Sequence, residues 1–291
     1  MGNMTEMFGV STSLCRGEIR RLPKPVESLS EEDSVAVYLA LLDRFTEFAL
    51  EQGFEAIEIE LGFSMIRAAD LVPAIDEIRK RTSRFRTVSC HLPLGEINIS
   101  ALHPGVRRHS VDETKSHIDM CADLEITQLV IHPGSFAGAP DRYLLLPHQT
   151  KRTAETSILE IADYCEGKHM ELSVENLHSS EPLFRKPEDF EPFVREGLGI
   201  TLDVAHAFGS GVDPLDFIAR FGSGITEAHL SDGIDSDPQS HYPLGTGQVD
   251  CLAVLRGLEQ VGFGGTIVIE VDSTEDLIES KRFLQQNGYL A

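Results

Sequence analysis

Seven short segments place a metal-ligating or proton-moving side chain where a run of apolar residues gives out. His91 ends "VSCHLP", His132 lies in "LVIHPGS", and Glu175 ends the run in "LSVENL". Asp203 and His206 follow in "TLDVAH", His229 in "EAHLSDG", His241 in "SHYPLGTG" and Glu270 in "IVIEVDS". Singly, each has a plain structural explanation: Asp203 caps the next helix, and His206 fills a polar gap. Glu175 and Glu270 are harder to dismiss, because burying an unpaired carboxylate is costly. Carboxylates buried beside imidazoles need positive charge, which a divalent metal supplies. With no thiolate in the set, the ligands suit Zn, Mn, Mg, Fe or Co. Glu175, Asp203, His229 and Glu270 come from four successive apolar runs and can enclose one ion. His91, His132, His206 and His241 can hold a second ion or orient a substrate, so one or two ions are expected.

The elements that must position these residues are legible as alternating patterns. Strands are predicted at Phe8–Ser13, Ala56–Leu61, Thr87–His91, Gln128–His132, Glu171–Glu175, Gly199–Asp203, Ile225–Leu230 and Thr266–Val271. They are rich in Val and Ile, as strands buried on both faces of a parallel sheet should be. A helix runs up to Gly53, opened by Ser30 and Asp33 at capping-box spacing. Further helices are predicted at Ala68–Arg81, Val111–Leu124, Lys151–Glu166, Pro187–Glu196, Pro214–Arg220, Cys251–Val261 and Thr274–Gln286. Strict alternation of eight strands and eight helices favours an α/β fold of the (β/α)8 TIM-barrel type over a doubly wound sheet. One domain covers residues 1–291. A barrel brings the C-terminal ends of all its strands to one rim, where long loops build the active-site face.

Composition narrows the partners. The chain has 291 residues, with 25 basic against 47 acidic side chains and a net charge of −22. Such a surface repels nucleic acid at long range. Two basic clusters interrupt it: Arg20, Arg21 and Lys24 in "RGEIRRLPK", and Arg107 and Arg108 in "GVRRHS". Both are expected in loops beside the barrel mouth, where they can receive a substrate phosphate. The five cysteines form no CxxC pair and read as reduced thiols. No apolar run is long enough to span a membrane, and "MGNMTEMF" is no secretory signal. The expectation is a cytoplasmic protein with a small-molecule partner and no membrane partner.

The motifs "HPGS", "VENL", "LDVAHAFGSG", "HLSDG", "HYPLGTGQVD" and "IVIEV", with "INISALHPG" after His91, resemble those of the xylose isomerase-like TIM-barrel superfamily. The resemblance runs from the third predicted strand to the eighth. That superfamily includes sugar and sugar-phosphate isomerases and epimerases, and also endonuclease IV, the AP endonuclease family 2 enzymes that cut DNA at abasic sites. Endonuclease IV resembles a three-zinc enzyme; carried over, its ligand pattern falls on His91, His132, Glu175, Asp203, His206, His229, His241 and Glu270. One position departs: the family has Asp-x-His before the "LG" turn, and this chain has Gln239-Ser240-His241. Gln is a poor metal ligand, which leaves the third ion two imidazoles and no carboxylate unless Asp237 substitutes. The epimerase-like relatives imply a single ion on Glu175, Asp203, His229 and Glu270, with the two glutamates as the acid–base pair. The first reading is therefore a divalent-metal-dependent isomerase or epimerase acting on a sugar or sugar phosphate. The second is a zinc-dependent abasic-site endonuclease with nucleic acid as partner, and the third a barrel that binds metal without chemistry.

Overall fold

The alternating pattern closes into a ring. A computed structural model describes residues 8–15, 31–136, 140–235 and 237–290. The ring strands are β1 (Phe8–Ser11), β2 (Ala56–Glu60), β3 (Thr87–His91), β4 (Gln128–Ile131), β5 (Glu171–Glu175), β6 (Gly199–Asp203) and β7 (Ile225–Leu230). A hairpin of β8 (Asp232–Ile234) and β9 (Asp237–Tyr242) follows, and β10 (Thr266–Ile269) completes the ring between β7 and β1. Every neighbouring pair in the ring is parallel. The chain is thus a (β/α)8 barrel, as the alternation implied.

Eleven α-helices accompany the strands among the described residues: α1 (Glu31–Glu51), α2 (Ala68–Leu71), α3 (Ile75–Thr82), α4 (Pro104–Asp123), α5 (Pro140–Leu145), α6 (Pro147–Glu166), α7 (Glu191–Arg195), α8 (Val204–Gly209), α9 (Pro214–Phe221), α10 (Cys251–Gln260) and α11 (Thr274–Gln286). None is long and apolar enough to cross a membrane. Outward-facing strand residues such as Ile57, Ile59, Leu202 and Ile267 join Leu42, Ile78, Ile118, Ile158 and Leu255 of the helices in one buried layer. Continuous with it, the rings of Phe136, Phe184, Phe190, Phe193 and Phe217 pack against one another under the loops after β4 and β5. They anchor the segment that follows Glu175, where the Leu177 amide bonds the Phe184 carbonyl at 2.9 Å.

Several boundaries differ from expectation for identifiable reasons. β1 stops at Ser11 because its hydroxyl accepts from the Ser13 amide and starts a 3-10 turn over Thr12–Leu14. β4 and β10 stop one residue before His132 and Glu270, so both side chains stand just beyond the ladder. α4 begins at Pro104, not Val111, because His103 caps it: the imidazole Nδ1 accepts from the Gly105 and Val106 amides. Arg107 and Arg108 therefore lie in a helix and not in a loop. The helix expected over Pro187–Glu196 is split into a 3-10 turn at Pro187–Asp189 and α7. His241 sits on strand β9 where a loop was expected. Ser30, expected to open the first helix, lies outside the described residues, as do Arg20, Arg21 and Lys24.

Candidate metal centre

Asp203 answers for both of its readings. It ends β6 and its Oδ1 accepts from the His206 amide at 2.6 Å, capping α8. Its Oδ2 is buried and has no hydrogen-bond partner. The backbone behind it is clamped by Asn176, whose side chain accepts from the Asp203 amide at 2.8 Å and donates to its carbonyl at 2.9 Å. The Asn of "VENL" thus fixes the direction in which Asp203 presents its carboxylate.

Glu175, at the end of β5 and 1% exposed, lies at the centre of the rim. Its Oε2 lies 3.1 Å from His91 Nε2 and 3.1 Å from His132 Nε2. Its Oε1 lies 3.4 Å from His206 Nδ1 and 3.5 Å from His229 Nδ1. His229 Nδ1 also stands 3.0 Å from Glu270 Oε2 and 3.9 Å from Asp203 Oδ2. It nevertheless has no hydrogen-bond partner. Two orphaned buried atoms, Asp203 Oδ2 and His229 Nδ1, thus face each other among carboxylates.

Ligand bonds to zinc run about 2.0–2.2 Å, which puts ligands of one ion roughly 3–4 Å from each other. The separations of 3.0, 3.5 and 3.9 Å around His229 Nδ1 fall in that range. Glu175, Asp203, His229 and Glu270 each offer a ligand atom within 4.8 Å of the others, so the donor set fits a divalent ion. Three further groups meet the same distance: His91, His132 and Glu175; Asp203, His206 and His241; and Glu58, Glu227 and His229, the last around the other ring nitrogen of His229. Asp203 thus brings a carboxylate oxygen close to His206 and His241, where the sequence offers two imidazoles and no carboxylate from Gln239. The side chains of Asp237 and Gln239, on which that reading turned, lie outside the described residues. His241 is held by Ser231, whose hydroxyl stands 2.9 Å from Nδ1.

Without a metal, protons supply the positive charge. Burial pushes the His91 imidazole down, but the hydrogen bond and charge of Glu175, with Glu58 and Glu60, outweigh it and hold His91 at about 10. Burial is likewise overcome at His206, where Asp203 and Glu175 hold it at about 9. Burial raises the Glu175 carboxyl, yet His132, His229 and His206 hold it well below its ordinary range. Asp203 goes the other way: burial raises it despite the nearby imidazoles. His178, which also lines the site, is pushed down to about 4 by burial and by His206, His132 and His241.

These side chains surround a cavity of about 190 Å³. Its described lining includes Ser11, Ser13, Glu58, Glu60, His178 and His241, with neither lysine nor arginine. Arg108 is engaged elsewhere, 2.9 Å from Glu160 on the helical face, and Arg107 is half-buried on α4. Glu58, Glu227 and His178 were missed in the sequence. Glu58 and Glu227 stand on β2 and β7, 1% and 3% exposed, and approach His229 from the side away from Glu270. Burial first, and the charge of Glu58 after it, push Glu227 up to about 7 against the pull of His229. The signal available for both was a carboxylate within an apolar strand, the same one that marked Glu175 and Glu270.

Asp232, just past β7, turns the motif "HYPLGTGQVD" into scaffold. Its Oδ1 accepts from the Gly233 and Val249 amides at 2.8 and 2.9 Å, and its Oδ2 from Gly245 and Gly247 at 3.0 and 2.9 Å. A Cβ at position 247 would fall 2.4 Å from Asp232 Oδ1, so the close approach requires glycine. This knot ties down the segment that carries His241.

The fold has counterparts in known proteins. The family model described as xylose isomerase-like TIM barrel matches residues 46–287. Uncharacterized protein MJ1311 of Methanocaldococcus jannaschii is 25% identical over 248 residues, 81% of each chain. Among solved structures, a D-tagatose 3-epimerase-like protein superposes with a TM-score of 0.74 over 96% of both chains at 22% identity. An L-ribulose 3-epimerase superposes with a TM-score of 0.71 over 97% of this chain and 94% of its own, at 15% identity. At these identities the superpositions establish a shared fold.

Proposed function

The chain belongs to the xylose isomerase-like TIM barrel family, and on that premise we propose that it is a divalent-metal-dependent isomerase or epimerase of a small carbohydrate. The observation that carries the reading is the convergence of Glu175, Asp203, His229 and Glu270, with two orphaned atoms among them, at a cavity of about 190 Å³ that Glu175 and Glu270 line. Ligand pockets for larger molecules run roughly 300–1,000 Å³, so this one suits a compact polar substrate. The epimerases among the structural neighbours are consistent with it.

Glu175, Asp203, His229 and Glu270 would hold the ion. A bound divalent ion polarises a carbonyl and its neighbouring hydroxyl, which acidifies the C–H between them. The protein's own groups then do the proton work. Glu175 on β5 and Glu270 after β10 stand three strands apart around the ring, so their carboxylates reach the cavity from different walls. One takes the proton from the carbon beside the carbonyl, and the other returns a proton to the opposite face. The histidines around the cavity hydrogen-bond sugar hydroxyls and, with the ion, offset the carboxylate charge.

A second reading rests on its own observation. The two flanking groups, His91–His132–Glu175 and Asp203–His206–His241, share ligands with the central one. A multi-metal site can clamp both oxygens of a phosphodiester displacement, as an abasic-site endonuclease requires. One experiment separates the readings. The purified protein, loaded in turn with Mn, Co, Mg and Zn, is incubated in deuterium oxide with ketopentoses and ketohexoses, and in parallel with an abasic duplex. Ion-dependent deuterium entry at the carbon beside the carbonyl of a ketose is the expected result. Zinc-dependent cleavage of the duplex, with no exchange in any sugar, would overturn the first reading in favour of the second.

A further inference from the structure

His229 is the one ligand of the central group whose second ring atom is engaged on the far side of the barrel. Its Nε2 stands 3.1 Å from Glu58 Oε2 in a buried hydrogen bond that joins β7 to β2 across the ring. His229 is 0% exposed and Glu58 1%. Glu227 braces the pair: its Oε1 lies 3.6 Å from the same Nε2 and accepts from the Ser89 hydroxyl at 3.1 Å. Ser89 and Glu58 are register partners on β3 and β2. Three side chains from three strands, Glu58, Glu227 and Ser89, thus hold one imidazole ring.

We propose that Glu58 is a positioning residue for the metal site: by accepting the His229 Nε2–H it fixes the tautomer and ring orientation that leave the Nδ1 lone pair facing Asp203, Glu175 and Glu270. A carboxylate accepts hydrogen bonds and donates none, so a neutral His229 paired with Glu58 carries its proton on Nε2. Nδ1 is then a bare lone pair 3.0 to 3.9 Å from three carboxylate oxygens. An ion placed there would take over the positive charge that a proton supplies in its absence. The carboxylate behind the ring also raises the basicity of the ligating nitrogen. Glu58 carries this effect even though it is not among the four ligands, and a purely structural role would not reach the ion.

The inference rests on the metal reading above, and its test uses the ion alone so that the two can fail separately. Zn and Mn affinities are measured calorimetrically for the full chain and for Glu58→Gln, Glu58→Ala and Glu58→Asp, with thermal unfolding recorded alongside. Outer partners of ligating histidines typically contribute 10–100-fold to affinity. Glu58→Ala is expected to weaken binding by roughly that factor, Glu58→Gln by less, and Glu58→Asp to recover part of it. In the zinc-loaded protein labelled with 15N-histidine, His229 should show a protonated Nε2 and a metal-bound Nδ1 in the parent, and a mixed signature in Glu58→Ala. Parent-like affinity and tautomer in folded Glu58→Ala and Glu58→Gln would overturn the inference. Should Glu58→Ala not fold, Glu58→Leu, which keeps most of the volume and offers no acceptor, decides. If the parent binds no ion, the metal reading falls first.

Discussion

Asp203 and Asp232 lie at the ends of neighbouring barrel strands, and both are fully buried, yet their surroundings differ completely. Asp232 accepts from four backbone amides, two on each oxygen. Asp203 accepts from one amide through Oδ1 and leaves Oδ2 with no hydrogen bond. A buried acceptor without a partner costs stability, so a chain keeps one where it has another use. Asp232 closes a loop, and in the proposed reading Asp203 keeps its second oxygen for an ion. A substitution that erases one should damage the fold, and one that erases the other should damage only what the fold does.

The largest effect should come from the Asp203 side of this contrast. Glu270→Gln keeps size and polarity but cannot exchange a proton; general acid–base catalysis contributes about 10²–10⁴-fold, and turnover of the identified sugar should fall by that order. Circular dichroism and thermal unfolding should stay near those of the parent. Full activity in this variant would remove Glu270 from the acid–base pair.

Next comes Asp232→Ala, which strands four amide donors in the interior. Unsatisfied buried groups cost about 1–3 kcal/mol each and do not add fully, so urea unfolding should show a loss of about 3 kcal/mol or more. Asp203→Asn is its counterpart. The amide oxygen preserves the helix cap, and a charge that burial disfavours is gone, so the metal-free protein should unfold within about 1 kcal/mol of the parent. Its metal affinity should nonetheless drop at least tenfold, on the order of 1.4 kcal/mol. If Asp203→Asn unfolds as easily as Asp232→Ala, the contrast between the two carboxylates is wrong.

The smallest effect is on pH. His91 and His206 are held at about 10 and about 9, above an unfolded value of about 6.5. The folded protein therefore binds these protons more tightly than the unfolded chain. The stability they contribute is complete below about pH 6.5 and is lost as pH rises through their folded values. Melting of the metal-free protein should shift to lower temperature between pH 7 and pH 10. Saturating metal, whose positive charge disfavours protons on the neighbouring imidazoles, should blunt the shift. A melting temperature that rises over that interval without metal would contradict the charge assignment.

The barrel was legible because its strands are apolar nearly throughout and its helices amphipathic, and closure then brings His91, Glu175, Asp203, His229 and Glu270 together. Glu58 was not legible as part of the site. In "AIEIE" two glutamates alternate with isoleucine, a pattern that also describes a strand half open to water. In the ring both point inward, where Glu58 is buried and Glu60 lines the cavity. The knot at Asp232 was hidden for another reason: its donors are backbone amides, which side-chain types do not reveal. The capping of α4 by His103 was missed because histidine is not among the usual N-cap residues. That single omission placed Arg107 and Arg108 in a loop, when Arg108 instead pairs with Glu160 across two helices.

The central claim is that one divalent ion sits among Glu175, Asp203, His229 and Glu270. Anomalous diffraction from a crystal grown with manganese tests it without assuming a substrate. The account predicts a peak within bonding distance of all four side chains, with His229 bound through Nδ1. A manganese peak found only beside His91 and His132, or only beside His206 and His241, would contradict it.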